Sequence, residues 1–107
     1  MVDIMGMMKK AQAMQAKLQD VQDELAKLDV EGQSGGGLVR MTLSAKGELR
    51  GVAIDASLLA PADKEMVEDL LVAAHGDAKK KANALAADKM REVTAGLQLP
   101  PGMKLPF

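Results

Sequence analysis

The chain has 107 residues and a mass of 11.3 kDa, which is room for one domain and a thin core. Fourteen basic residues against fifteen acidic ones leave a net charge of −1, so no whole-molecule field draws in polyanions. The absence of cysteine, a single histidine and a single aromatic residue exclude disulfides, thiolate and histidine metal centres, cysteine nucleophiles and base-stacking platforms. Nine methionines, with abundant alanine, predict a core of flexible, unbranched side chains that a partner helps to complete.

Residues 3–28 read as one long helix. Ile4, Ala11, Leu18 and Leu25 share one heptad position, and Met7, Met14, Val21 and Leu28 follow three residues later in each repeat. Such a helix is about 39 Å long, against a diameter of roughly 34 Å for a compact domain of this size. It therefore overhangs its own body. A homodimer is expected, with Ile4, Met7, Ala11, Met14, Leu18, Val21 and Leu25 at the interface and the second helix covering part of the seam.

Residues 30–54 read as a small antiparallel sheet. A short extended segment, Val30 to Ser34, precedes the glycine cluster Gly35-Gly36-Gly37, read as a flexible hairpin turn. From Leu38 to Leu43, alternation puts Val39, Met41 and Leu43 on one face and Arg40 and Thr42 on the other. Lys46-Gly47 marks the next turn, and the strand Leu49 to Ile54 carries Val52 and Ile54 inward with Arg50 on its other face. Three strands do not hold together alone, so helices must cover the apolar side.

A turn from Asp55 to Pro61 leads to a second helix over about 63–94, with Asp63 as its expected N-cap. Met66, Val67, Leu70, Leu71, Ala74, Ala78, Ala82 and Leu85 form its apolar stripe, and Gly76 weakens its middle by about 1 kcal/mol relative to alanine. Residues 96–107, with Pro100, Pro101 and Pro106, form an extended apolar tail, docked or loose. The fold class is α+β in a single domain over 1–107.

Chemistry is hard to place on this chain. A phosphate loop needs glycines running into a helix N-terminus, whereas Gly37 runs into a strand. Ser34, Ser44 and Ser57 have one possible base, His75, which reads as a partly buried helical histidine. Acidic pairs such as Asp20 and Asp23 lie on polar helix faces, where nothing tunes them. No catalytic residue, metal, cofactor or small-molecule substrate is expected. No apolar run approaches 18 residues and no signal-peptide pattern opens the chain, so a soluble intracellular protein away from membranes is expected.

The cations are more informative. Lys79, Lys80, Lys81, Lys89 and Arg91 sit in the C-terminal half of the second helix, where the dipole favours them, and Asp77 can pair with Lys81. Lys9, Lys10 and Lys17 sit in the N-terminal half of the first helix, against its dipole. A dimer repeats these groups, with Arg40 and Arg50, on a rigid frame suited to a phosphate backbone. The forks of base-reading helices are missing, so DNA binding would have low sequence selectivity. A dimeric protein–protein scaffold without DNA is the alternative.

Over essentially its whole length the chain resembles the YbaB/EbfC family of bacterial nucleoid-associated proteins. The resemblance is carried by Met7-Met8-Lys9 with its Ala/Gln/Met helix, by Gly35 to Val39, and by Val52 to Leu59. Lys64-Glu65-Met66 through Ala74 and the tail Leu99 to Phe107 complete it. His75-Gly76 departs from the aromatic–Asn pair common in the family. The resemblance implies an α-β-β-β-α protomer, a tweezer-like homodimer and a cytoplasmic protein of the nucleoid that alters DNA conformation. It also implies DNA contact through the outer helical regions, here Lys9, Lys10 and Lys17, and the basic residues of the second helix.

Overall fold

A computed structural model describes residues 3–95; the tail 96–107 lies outside the described residues. The elements are α1 (Ile4–Lys27), β1 (Asp29–Ser34), β2 (Val39–Ser44), β3 (Leu49–Ile54) and α2 (Lys64–Ala95). The α-β-β-β-α order is the one the sequence implies. Asp3 caps α1 by accepting from the Gly6 N–H at 3.0 Å. Asp63, expected as the cap of α2, instead belongs to a short 3₁₀ turn, Pro61–Asp63, that leads into it.

The sheet has the order β1-β2-β3, antiparallel throughout. Gly35, Gly36 and Gly37 close the first hairpin with φ of 60°, 68° and 95°, a run of left-handed backbone that side chains disfavour. Leu38 is spent on leaving that turn, so β2 begins at Val39. In the second hairpin Thr42 pairs with Gly51 but Leu43 with Leu49, leaving Arg50 as the extra residue of a bulge. Plain alternation would seat Arg50 beside Val52 and Ile54. The bulge turns it instead toward Asp29 (Nε–Oδ1 3.6 Å) and the Ala26 carbonyl.

The core is built of Val39, Met41, Leu43 and Leu58 against Ala74 and Ala78 of α2. Of the methionines described, only Met41 is buried, while Met5, Met7, Met8 and Met66 are exposed. The methionine-filled core expected from composition is thus a valine, leucine and alanine core. Small residues let α2 lie close to β1. A Cβ on Gly32 would stand 2.2 Å from the Ala78 nitrogen and 2.4 Å from the Ala74 carbonyl oxygen.

That closeness brings α2 side chains onto the outer edge of β1. Asp77 accepts from the Gln33 N–H at 3.0 Å, Lys81 donates to the Glu31 carbonyl at 2.9 Å, and the Ser34 hydroxyl donates to the Leu70 carbonyl at 2.6 Å. Asp77 and Lys81 also pair with each other at 3.2 Å, as their spacing predicts. One sheet edge is therefore capped by charge. The outer edge of β3 has no such cover among the described residues, and Leu49 and Val52 stand exposed on it.

A second cluster joins the helices beyond the sheet. Val21 and Leu25 of α1, with Ala45, are buried against Leu85, Ala86, Met90 and Val93 of α2. Because α1 enters the sheet where α2 leaves it, the two overlap only near their C-terminal ends. The molecule is accordingly 73 Å long and 24 × 16 Å across, with a radius of gyration of 19.9 Å against about 13 Å for a compact chain of 100 residues.

Candidate nucleic-acid interface

The overlap leaves the N-terminal half of α1 as an arm. Ile4, Met5, Met7 and Met8 are more than half exposed, Ala11 is exposed, and Met14 and Leu18 are half-buried. The heptad seam is thus divided. Val21 and Leu25, expected between two copies, are covered within one protomer by α2, while the earlier seam positions stay open. Lys9, Lys10 and Lys17 ride on this arm. Lys10 and Lys17 lie one heptad, about 10.5 Å, apart.

Ion pairing sorts the remaining cations. Lys89 lies 2.8 Å from Glu24 and 3.9 Å from Glu92, so it clamps α2 to α1; the Glu24 hydrogen bond holds its ammonium above the usual lysine range. Lys81 clips the edge of β1, and Arg50 ties the end of α1 to the sheet. Arg91 pairs with Asp88 on the exposed face of α2. Arg40 meets Glu31 at 3.8 Å with both side chains more than half exposed. Such a pair contributes about 0–1 kcal/mol, weak enough for a phosphate oxygen to replace the carboxylate.

Among the described residues Lys9, Lys10, Lys17, Lys27, Lys46, Lys79 and Lys80 have no ion-pair partner. Sequence reading singled out neither Lys27 nor Lys46. Lys46 reads as a turn residue only, and Lys27 stands in the last turn of α1, where the helix dipole favours a cation. Lys79 and Lys80 line an open groove of about 540 Å³ on the outer face of α2, together with His75, Gly76, Asp77 and Asn83. His75 is exposed, not partly buried, because Ala74 and Ala78 occupy the core-facing positions on either side of it.

The Asp77 carboxyl is held below its usual range, first by the Gln33 N–H and then by Lys81. The Asp55 carboxyl is lowered by the Ser57 hydroxyl and N–H, a local turn contact. Both carboxylates serve structure. Among the described residues no group of three acidic or histidine side chains converges to hold a metal ion, and no helix is long and apolar enough to cross a membrane.

Fold and surface define a small α+β protein with a projecting helical arm whose cations face outward. The chain belongs to the YbaB/EbfC DNA-binding family, whose model matches residues 1–97. A nucleoid-associated protein of Methylocella silvestris is 61% identical over 107 residues, covering 100% of both chains. One from Agrobacterium fabrum is 58% identical over the same full length. The crystal structure of an uncharacterized Helicobacter pylori protein superposes with a TM-score of 0.77 at 23% identity, over 88% of this chain and 99% of that one, a likeness of fold.

Proposed function

We propose that the protein is a cytoplasmic, nucleoid-associated DNA-binding protein that acts as a homodimer and changes the conformation or organisation of the duplex. The observation that carries this reading is the arm of α1, which displays Lys9, Lys10 and Lys17 unpaired in a chain whose family is DNA-binding. These lysines contact phosphates, and Arg40, Lys79 and Lys80 add to them. Lys81, Lys89 and Arg50 contribute less, because each is engaged in a contact that ties two elements together, whereas Arg91, like Arg40, has only an exposed ion pair to give up. Phosphate contacts carry no base information, so selectivity is low and affinity falls steeply with salt. Two places support association of copies: the open seam at Ile4, Met7 and Ala11, and the bare surface of β3 at Leu49 and Val52.

A gel shift on random duplex DNA over a salt series tests the reading. Strong retardation at low salt that fades as salt rises is expected, and no shift at any salt would leave a protein–protein scaffold as the better account. Charge reversal at Lys9, Lys10 and Lys17 together should abolish the shift while leaving the association state unchanged. Undiminished binding by that variant would move the contact surface off α1.

A further inference from the structure

Three elements meet where the helices leave the sheet, and each brings a lysine. The Ala45 N–H donates to the Leu28 carbonyl at 2.8 Å, which joins the residue after Lys27 to the residue before Lys46. Gly47, the next residue of the β2–β3 turn, lies under Lys79: a Cβ built on it would stand 3.1 Å from the Lys79 Nζ. Gly47 itself has φ of 94°. The buried Ser44 fixes the turn, its hydroxyl accepting from the Glu48 N–H at 3.1 Å and its N–H donating to the Glu48 carbonyl at 2.7 Å. The amides of Ser44, Gly47 and Glu48 are thereby engaged inside the turn, so the lysine ammoniums are the donors this neck offers outward.

Gathering like charges is unfavourable unless an anion joins them. None of Lys27, Lys46 and Lys79 has an ion-pair partner among the described residues, although Glu48 follows in the same turn. Asp77, the acid nearest in sequence to Lys79, is engaged by Lys81 and the Gln33 N–H. Lys80 and Asn83 continue the polar surface along the α2 groove.

We propose that this neck is a second phosphate-binding surface, at which Lys27, Lys46 and Lys79 hold the backbone of the duplex that the α1 arm engages. Spacing supports it. The Glu24–Lys89 pair marks where α1 and α2 lie side by side. Counting 1.5 Å per residue, Lys10 is about 21 Å from that level along α1 and Lys79 about 15 Å from it in the opposite direction along α2. The sum, about 36 Å, sets Lys10 and Lys79 about one turn of B-DNA apart, while Lys27, on the same helix as Lys10, stands about 26 Å from it.

The inference rests on the DNA-binding reading, and one experiment separates the two. The slope of log affinity against log salt is measured on random duplex DNA for the full chain and for Lys27→Gln/Lys46→Gln/Lys79→Gln. Each lost phosphate contact lowers the slope by about 0.9, so the triple variant should be shallower by about 2–3. Lys64→Gln, which removes an ion-paired charge on the first turn of α2, should leave the slope unchanged. A full chain that binds with the same slope as the triple variant would overturn the neck and leave the arm standing. A full chain that never binds duplex overturns the DNA-binding reading and the neck with it. Should the triple variant melt early, Lys46→Gln alone decides, since its exposed turn side chain has no packing role; a slope lowered by about 1 supports the neck, and an unchanged slope refutes it.

Discussion

Gly32 shows how much one missing side chain decides. Its lack of a Cβ sets the distance between β1 and α2, and that distance lets Asp77 and Lys81 reach the strand backbone. Gly32→Ala would press on helix backbone, which cannot swing aside as a side chain tip does. Overpacking of this kind costs about 1–3 kcal/mol, so urea unfolding should show a clear loss of stability. Asp77 makes a prediction with a sign. Its folded carboxyl titrates below the ordinary value of 3.8, so its stabilisation is present above that value and is lost as pH falls through the folded one. Asp77→Asn should therefore melt below the wild type near pH 6, and the gap should close below about pH 4.

At the level of elements, α1 has two halves with different partners. Its C-terminal half is held by Val21 and Leu25 in the second cluster and by the Lys89–Glu24 clamp. Leu25→Ala removes the more deeply buried of the two and should lower stability by about 2–5 kcal/mol in urea titration. Amide exchange should quicken along α1 more than in β2, whose Val39, Met41 and Leu43 belong to the other cluster. The sheet, too, has two unlike edges. Its β1 edge is sealed by the Asp77–Lys81 clip, whereas β3 keeps a bulge at Arg50 and exposed Leu49 and Val52.

For the whole molecule, a 73 Å rod cannot bury its apolar surface alone. Exposed Ile4 and Met7 lie toward one end, and exposed Leu49 and Val52 lie on the sheet body. Sedimentation equilibrium at micromolar concentration should report a dimer. Leu18→Asp and Val52→Asp then tell the two surfaces apart: the variant that yields monomers with an intact helical spectrum marks the pairing face. A dimer would also double the arm and neck cations, so its salt slope should exceed that of any monomeric variant.

Periodicity alone determined the element order, the inward set Val39, Met41 and Leu43, the stripe Ala74-Ala78-Ala82 and the overhanging α1, because these follow from local geometry repeated along the chain. The unpaired lysines of the arm were legible for the same reason: a helix longer than its body must carry some residues past it. Contacts between distant segments were not legible. Arg50 reaches its expected face only through a bulge that alternation does not show, Val21 and Leu25 went to α2 inside one protomer, and His75 came to the surface when small neighbours took the core. Lys27, Lys46 and Lys79 are far apart in the chain and meet only because a hydrogen bond from Ala45 to Leu28 and the bare backbone of Gly47 fold three elements onto one neck. Charge at a point in space depends on the tertiary path of the chain, which no local repeat encodes.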